Sequence, residues 1–137
     1  MKVAIYPGSF NPIHAGHHNI IEKALKVFDK VIIAQGINPD KGITDVNIPS
    51  AETYGKYGKK VQVVKFMTTL PEFAVDKNAV AIIRGLRSGV DLETEKAQQY
   101  WYEDLGLTIP IVYFICDRGL THISSSAVRA VAKSRKT

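Results

Sequence analysis

Residues 8–17 read Gly8-Ser9-Phe10-Asn11-Pro12-Ile13-His14-Ala15-Gly16-His17, a loop carrying one hydroxyl and two imidazoles three residues apart. The apolar run Val3-Ala4-Ile5-Tyr6 precedes it, and Ile20, Ile21, Ala24, Leu25 and Phe28 follow at helical spacing. The pattern predicts a buried strand ending at Pro7, a tight loop, and a helix beginning near His17. A strand-loop-helix junction presents unpaired backbone N–H groups and the positive end of a helix dipole, which suits a phosphate. The imidazoles add donors where negative charge would sit, and Gly16 lets the backbone approach a ligand closely. Two other readings of His14 and His17 stand beside this one. Their spacing could serve zinc, but no third and fourth ligand clusters nearby and Cys116 stands alone. Each imidazole could also simply cap the helix or satisfy a turn.

Four further groups of residues carry possible chemistry. Arg84-Gly85-Leu86-Arg87 follows a strongly apolar run, and guanidinium forks match phosphate oxygens. The alternative is two surface arginines at a strand end. Asp91 and Glu95 lie one helical turn apart and share a face, from which they could orient the arginines or a nucleotide, or simply meet solvent. Lys41 follows Asn38-Pro39-Asp40; its ammonium could neutralise a phosphate, or it is a solvated turn lysine. Ile123-Ser124-Ser125-Ser126-Ala127-Val128-Arg129 opens a helix, where serines cap or bind phosphate.

The elements that would position these groups alternate along the chain. Buried parallel strands are expected at 3–6, 31–34, 61–66, 80–83 and 111–115. Helices are expected at 16–28, 71–76, 90–105 and 124–133, with Thr69 capping the second, Pro71 in its first turn, and Gly106 stopping the third. Such alternation predicts an α/β fold with a doubly wound parallel sheet of five strands. The motifs then fall after the first, fourth and fifth strands, on the edge where ligands bind. The stretch 35–60, with Tyr54-Gly55-Lys56-Tyr57-Gly58, is the least legible. A length of 137 residues implies one domain, and 45% hydrophobic with 23% charged residues is ordinary for a globular protein. The net charge of +5 favours an anionic partner, which a phosphorylated small molecule satisfies without nucleic acid. Lys133, Arg135 and Lys136 read as a solvated tail. The single Cys116 excludes an intrachain disulfide and reads as buried filler. With no apolar stretch long enough to span a bilayer and too short an apolar start for a signal peptide, a cytoplasmic protein is expected.

The loop resembles the G-[ST]-F-[DN]-P-x-[HT]-x-G-H signature of the nucleotidyltransferase superfamily. With Arg84-Gly85-Leu86-Arg87, the following Asp91 and Glu95, and the serine motif in this order, residues 2–132 are similar to the phosphopantetheine adenylyltransferases. The resemblance implies one Rossmann-like nucleotidyltransferase domain over 1–137. It implies transfer of the adenylyl group of ATP to 4′-phosphopantetheine, giving dephospho-coenzyme A and pyrophosphate. It implies His17, Lys41 and Arg87 as catalytic. ATP would be bound by Ser9, Phe10, His14, His17, Gly85, Leu86, Arg87, Glu95, Leu120, Thr121, His122, Ile123, Ser124, Ser125 and Ser126. The acceptor would be bound by Ser9, Lys41, Leu70 and Arg84; independently of the resemblance, Leu70, Phe73 and Ala74 on the short second helix could form an apolar wall for a long, partly apolar acceptor arm. Mg2+ would accompany ATP, no protein metal site is expected, and a homo-oligomer, a hexamer by resemblance, would form without nucleic acid or membrane. The family often carries threonine at His14, asparagine at Tyr102, tryptophan at Leu120 and a helix with Glu-Arg in the 42–60 stretch, and it continues beyond the serine helix. Two rival expectations follow: a different acceptor (nicotinamide mononucleotide or an alcohol phosphate), and a nucleotide-binding homologue without activity.

Overall fold

The computed structural model describes residues 1–10, 13–36, 54–87, 89–120 and 130–131. Five strands, β1 Val3–Gly8, β2 Lys30–Gly36, β3 Val61–Phe66, β4 Ala81–Leu86 and β5 Ile111–Ile115, form one all-parallel sheet in the order β3-β2-β1-β4-β5. Among the described residues three helices connect them: α1 Ala15–Ala24, α2 Leu70–Asp76 and α3 Gly89–Asp104. A 3₁₀ turn, Gly55–Lys60, leads into β3.

The apolar runs become strands because both faces of the sheet are covered. Ala4, Tyr6, Val31, Ile33, Ala81 and Ile83 meet Ile20, Ile21 and Ala24 of α1, with Phe28 and Tyr54. Ile5, Ile32, Ala34 and Ile82 point to the opposite face and meet Leu70, Phe73 and Ala74 of α2, with Tyr102 of α3 partly buried against them. The period of two along β1 and β4 therefore divides the core into two layers. Gly85 is dictated by the first layer, since a Cβ there would lie 2.9 Å from Ile20 Cγ1.

Helix ends follow local chemistry. Thr69 caps α2 as expected, accepting from the Glu72 N–H, and Glu72 in turn accepts from the Thr69 N–H, which closes a capping box. Gly106 takes a φ of +99°, its N–H reaching Glu103 O and the Leu107 N–H reaching Tyr102 O, both at 3.0 Å. That pair of bonds is a Schellman stop, which favours glycine at the left-handed position.

Several boundaries differ from expectation. β1 continues through Pro7 to Gly8 because β2 pairs with it as far as Gly8↔Gln35. β4 runs to Leu86 because β5 pairs along it, so Arg84, Gly85 and Leu86 lie within the strand rather than after it. α1 starts at Ala15, before His17, because His14 caps it, and it ends at Ala24 rather than Phe28. Turn bonds from Val27 and Phe28 to Ala24 O still deliver Phe28 into the core, at 7% exposure. The expected helix 124–133 falls mostly outside the described residues. Among the described residues, no helix is long and apolar enough to cross a membrane.

Candidate active site

The chain visits β1, β2 and β3 in turn, then jumps across β1 to β4. That reversal between β1 and β4 is the switch point at which parallel α/β sheets open a crevice at their carboxyl ends. The ladder records it. β1 pairs with β4 at Ala4↔Ala81 and Ile5↔Ile82, whereas its pairing with β2 extends three residues further. Where β1 and β4 part, Arg84 Nη1 donates to the Pro7 carbonyl at 2.8 Å, so a side chain continues what the ladder leaves off.

A cavity of about 380 Å3 occupies this crevice. The ends of β1 and β4 contribute Pro7, Gly8, Arg84 and Gly85, the loop contributes Ser9, Phe10 and His14, and α1 contributes Gly16 and His17. Arg87, Asp91, Thr94, Glu95 and Cys116 complete the wall. The volume lies within the range of small-molecule sites.

The two histidines are oriented by the helix they begin. His14 Nδ1 accepts from the Gly16 N–H at 3.1 Å, and His17 Nδ1 accepts from the His14 N–H at 3.2 Å, a capping box built from imidazoles. Their rings stack at 3.8 Å, and His17 also meets the Phe10 ring edge at 4.8 Å. An Nδ1 that accepts carries no proton, so in each neutral ring the proton sits on Nε2. Burial, then the positive charge of His14, His18 and Arg84, lowers the pKa of His17 to about 3. Burial, then Arg87 and His18, lowers that of His14 as well. The site therefore presents neutral Nε2–H donors at neutral pH. Capping, weighed above against phosphate binding, is what both Nδ1 atoms do, and it leaves the proton of each neutral ring on Nε2.

Arg84 is clamped from both sides. Its Nε donates to both Glu95 carboxylate oxygens, at 3.2 and 3.0 Å, and Nη2 donates to Oε1 at 2.8 Å. Burial opposes its charge, but the hydrogen bonds and charge of Glu95 outweigh burial and raise its pKa. Three of its five N–H donors thus serve Glu95 and Pro7, which fixes the guanidinium in the cavity wall. Asp91 holds Arg87 in a similar way, accepting from its backbone N–H at 2.9 Å and from Nε at 3.3 Å. The shared helix face of Asp91 and Glu95 orients the two arginines.

Cys116 seals the junction with α1, its Sγ lying 3.9 Å from Gly16 O, and burial raises its pKa so that it remains a thiol. Just beyond it, Asn19 and Asp117 bond reciprocally, at 2.8 and 2.9 Å, and Lys23 pairs with Asp117 at 2.9 Å. These contacts tie α1 to the segment that leads toward the serine motif.

Of the residues predicted for the site, Ser9, Phe10, His14, His17, Arg84, Gly85, Arg87 and Glu95 line one cavity. Leu86 lies in β4, pairs with Ile115, and is not part of that lining. Leu120 ends a 3₁₀ turn, Arg118–Leu120, with its N–H on Asp117 O at 2.9 Å, and is also outside the lining. Lys41, Thr121, His122, Ile123, Ser124, Ser125 and Ser126 lie outside the described residues. Leu70, Phe73 and Ala74, expected as an apolar wall for the acceptor, are 3 to 5% exposed, pack on Ile5, Ile32 and Ile82, and lie outside the lining of this cavity. Thr94 and Cys116 are cavity residues that sequence reasoning missed. Thr94 had a signal, lying between Asp91 and Glu95 on the same helix face; Cys116 had only its place just past a strand end.

Comparison with known proteins now decides the family. A family model described as cytidylyltransferase-like matches residues 5–131. A phosphopantetheine adenylyltransferase of Clostridium botulinum is 39% identical over 97% of this chain and 86% of its own length. One from Mycoplasma capricolum is 37% identical over 99% of this chain and 100% of its own. The chain belongs to the phosphopantetheine adenylyltransferase family. More distant likenesses show the fold. The pantoate-beta-alanine ligase of Francisella tularensis superposes with a TM-score of 0.62 at 12% identity, over 93% of this chain and 65% of the ligase. A provisionally assigned nicotinate-nucleotide adenylyltransferase of Vibrio parahaemolyticus gives 0.60 at 22% identity, over 96% of this chain and 86% of its own. The doubly wound parallel sheet expected from strand and helix alternation, and the Rossmann-like domain that the resemblance implied, agree with the fold of these structures.

Proposed function

We propose that this protein transfers the adenylyl group of ATP to 4′-phosphopantetheine, releasing pyrophosphate and forming dephospho-coenzyme A. A phosphate oxygen of the acceptor attacks the α-phosphorus of ATP, and the bond from that phosphorus to the bridging oxygen of the leaving pyrophosphate breaks. No covalent enzyme intermediate is needed, so the protein supplies position and charge stabilisation. The observation that supports this reading best is the pair of imidazoles whose Nδ1 atoms are engaged by the helix start. Their Nε2–H groups are aimed donors for charge developing on the α-phosphate, a role assigned chiefly to His17. Arg87, steadied by Asp91, takes the phosphates that leave, and Lys41 with Ser9 takes the acceptor phosphate. Arg84 shapes the boundary between the two substrates from its clamp on Glu95 and Pro7. Mg2+ enters with the substrate as MgATP.

The proposal extends to assembly and place. The exposed Trp101 and Ile115, at 65 and 68%, support a homo-oligomer, a hexamer by family resemblance. A free, buried Cys116 accords with a reducing cytoplasm.

Pyrophosphate release tests the reaction, measured with MgATP and three acceptors: 4′-phosphopantetheine, nicotinamide mononucleotide and an alcohol phosphate. Release with the first alone is expected. Release with either of the others and not the first would replace the acceptor. ATP binding without release in any mixture would mark an inactive homologue.

A further inference from the structure

Gln35 stands near the end of β2, after four consecutive apolar residues, and is 2% exposed. Among the described residues it is the one buried side chain that is polar. Its Nε2 donates to the Ser9 carbonyl oxygen at 3.0 Å. Ser9 and Phe10 line the nucleotide cavity and Gln35 does not. The Ser9 carbonyl is therefore drawn toward β2. In a trans peptide the carbonyl and the following N–H point to opposite sides, which turns the Phe10 N–H the other way.

This orientation is not the one the local backbone prefers. Phe10 sits at a φ of +49°, in the left-handed region that a bulky side chain avoids. Turning the Ser9–Phe10 peptide plane by half a turn changes Ser9 ψ and Phe10 φ together and returns Phe10 to a negative φ. The Cα positions barely move in such a flip. The Phe10 ring can then stay where it is, edge-on to Tyr6 at 4.9 Å and beside His17. Ring packing alone thus does not choose between the two orientations, while the bond from Gln35 does. The flipped peptide would aim a carbonyl oxygen where anionic phosphate is to bind.

We propose that Gln35 is a positioning residue for nucleotide binding: its amide holds the Ser9–Phe10 peptide so that the Phe10 N–H, and not the Ser9 carbonyl, faces the phosphates of ATP. The inference rests on the nucleotide reading of the cavity given above. It adds to the site a residue from β2 that touches no substrate.

The test compares the parental protein with Gln35→Met, which keeps length but loses the donor, and Gln35→Asn, whose amide is too short to reach. Calorimetric titrations with MgATP and with adenosine, steady-state kinetics and thermal melts are run on all three. The Kd for MgATP should rise about tenfold in both variants, equivalent to about 1.4 kcal/mol. Adenosine affinity should stay at the parental value, because the effect acts through phosphate. KM for ATP should rise by more than kcat falls, and Gln35→Met should melt no lower than the parental protein. Parental MgATP affinity in both folded variants would overturn the proposal. An equal loss for adenosine and MgATP would also overturn it, by showing a general structural effect. A parental protein that binds no MgATP would instead overturn the nucleotide reading of the cavity, and the inference with it.

Discussion

Replacing His17 separates the two nitrogens of one ring. Nδ1 accepts from the His14 N–H, and the ring packs against Phe10 and stacks on His14. Nε2 carries the proton and supplies the donor assigned to the α-phosphate. His17→Ala removes both functions. Loss of a donor aimed at developing charge costs about 10²–10³ in kcat, or about 3–4 kcal/mol of transition-state stabilisation. Loss of the cap bond adds about 1 kcal/mol of instability. His17→Gln divides the two losses, since glutamine at this helix position can accept from the cap N–H. Its stability in urea should return toward the parental value while turnover stays low. The pH profile sharpens the test. A pKa near 3 keeps His17 neutral from pH 5 upward, so protonation of this ring should contribute no limb to log kcat/KM between pH 5 and 8. Stopped assays of pyrophosphate release over that range supply the data. Near-parental turnover in folded His17→Ala would refute the donor role. A limb near pH 6.5 that is present in the parental enzyme and absent from His17→Gln would refute the neutral tautomer.

Other perturbations address the frame around the site. The Arg84–Glu95 pair is mostly buried, with side chains 24 and 13% exposed, so Glu95→Ala leaves an uncompensated guanidinium. It should cost about 3–5 kcal/mol in urea unfolding, and a loss under 1 kcal/mol would show the pair to be dispensable. Gly85→Ala places a Cβ 2.9 Å from Ile20 Cγ1 and should cost about 1–3 kcal/mol, read as a lower Tm. Pairing it with Ile20→Val, which leaves the crowding atom in place, should recover little, whereas Ile20→Ala should couple strongly to it. Acid should destabilise the protein through its histidines. The pKa of His17 is lowered from 6.5 to about 3 on folding, so below pH 6.5 the unfolded chain takes a proton that the folded one refuses. Stability should fall as pH drops from 6.5 toward 3, by up to about 1.4 kcal/mol per unit from His17, with His14 and His18 shifted in the same direction. Urea midpoints at pH 7 and 5 should show the drop, and His17→Gln should show less of it.

Local chemistry sufficed for much of the architecture. Five apolar runs mark five strands, Thr69-x-x-Glu72 marks a helix start, and Gly106 marks a stop, because each rests on contacts within a few residues. The residue types of the Gly8–His17 loop likewise suffice to propose an anion site there. Element limits were less legible, since β1 and β4 extend as far as their neighbours pair with them, and pairing is not local. Only the tertiary structure could bring Arg84 onto Pro7, 77 residues away, or pack Leu70, Phe73 and Ala74 against Ile5, Ile32 and Ile82. It alone engages both histidines through Nδ1, so that composition names the rings while packing chooses the proton-bearing nitrogen. Gln35 carries the same lesson. In the sequence it is one polar residue after an apolar run; the fold buries it at 2% exposure and sets its amide 3.0 Å from a carbonyl 26 residues earlier. Periodicity and capping act over a few residues and can be read from a chain. Which distant groups share a desolvated space is decided only when the sheet closes around them.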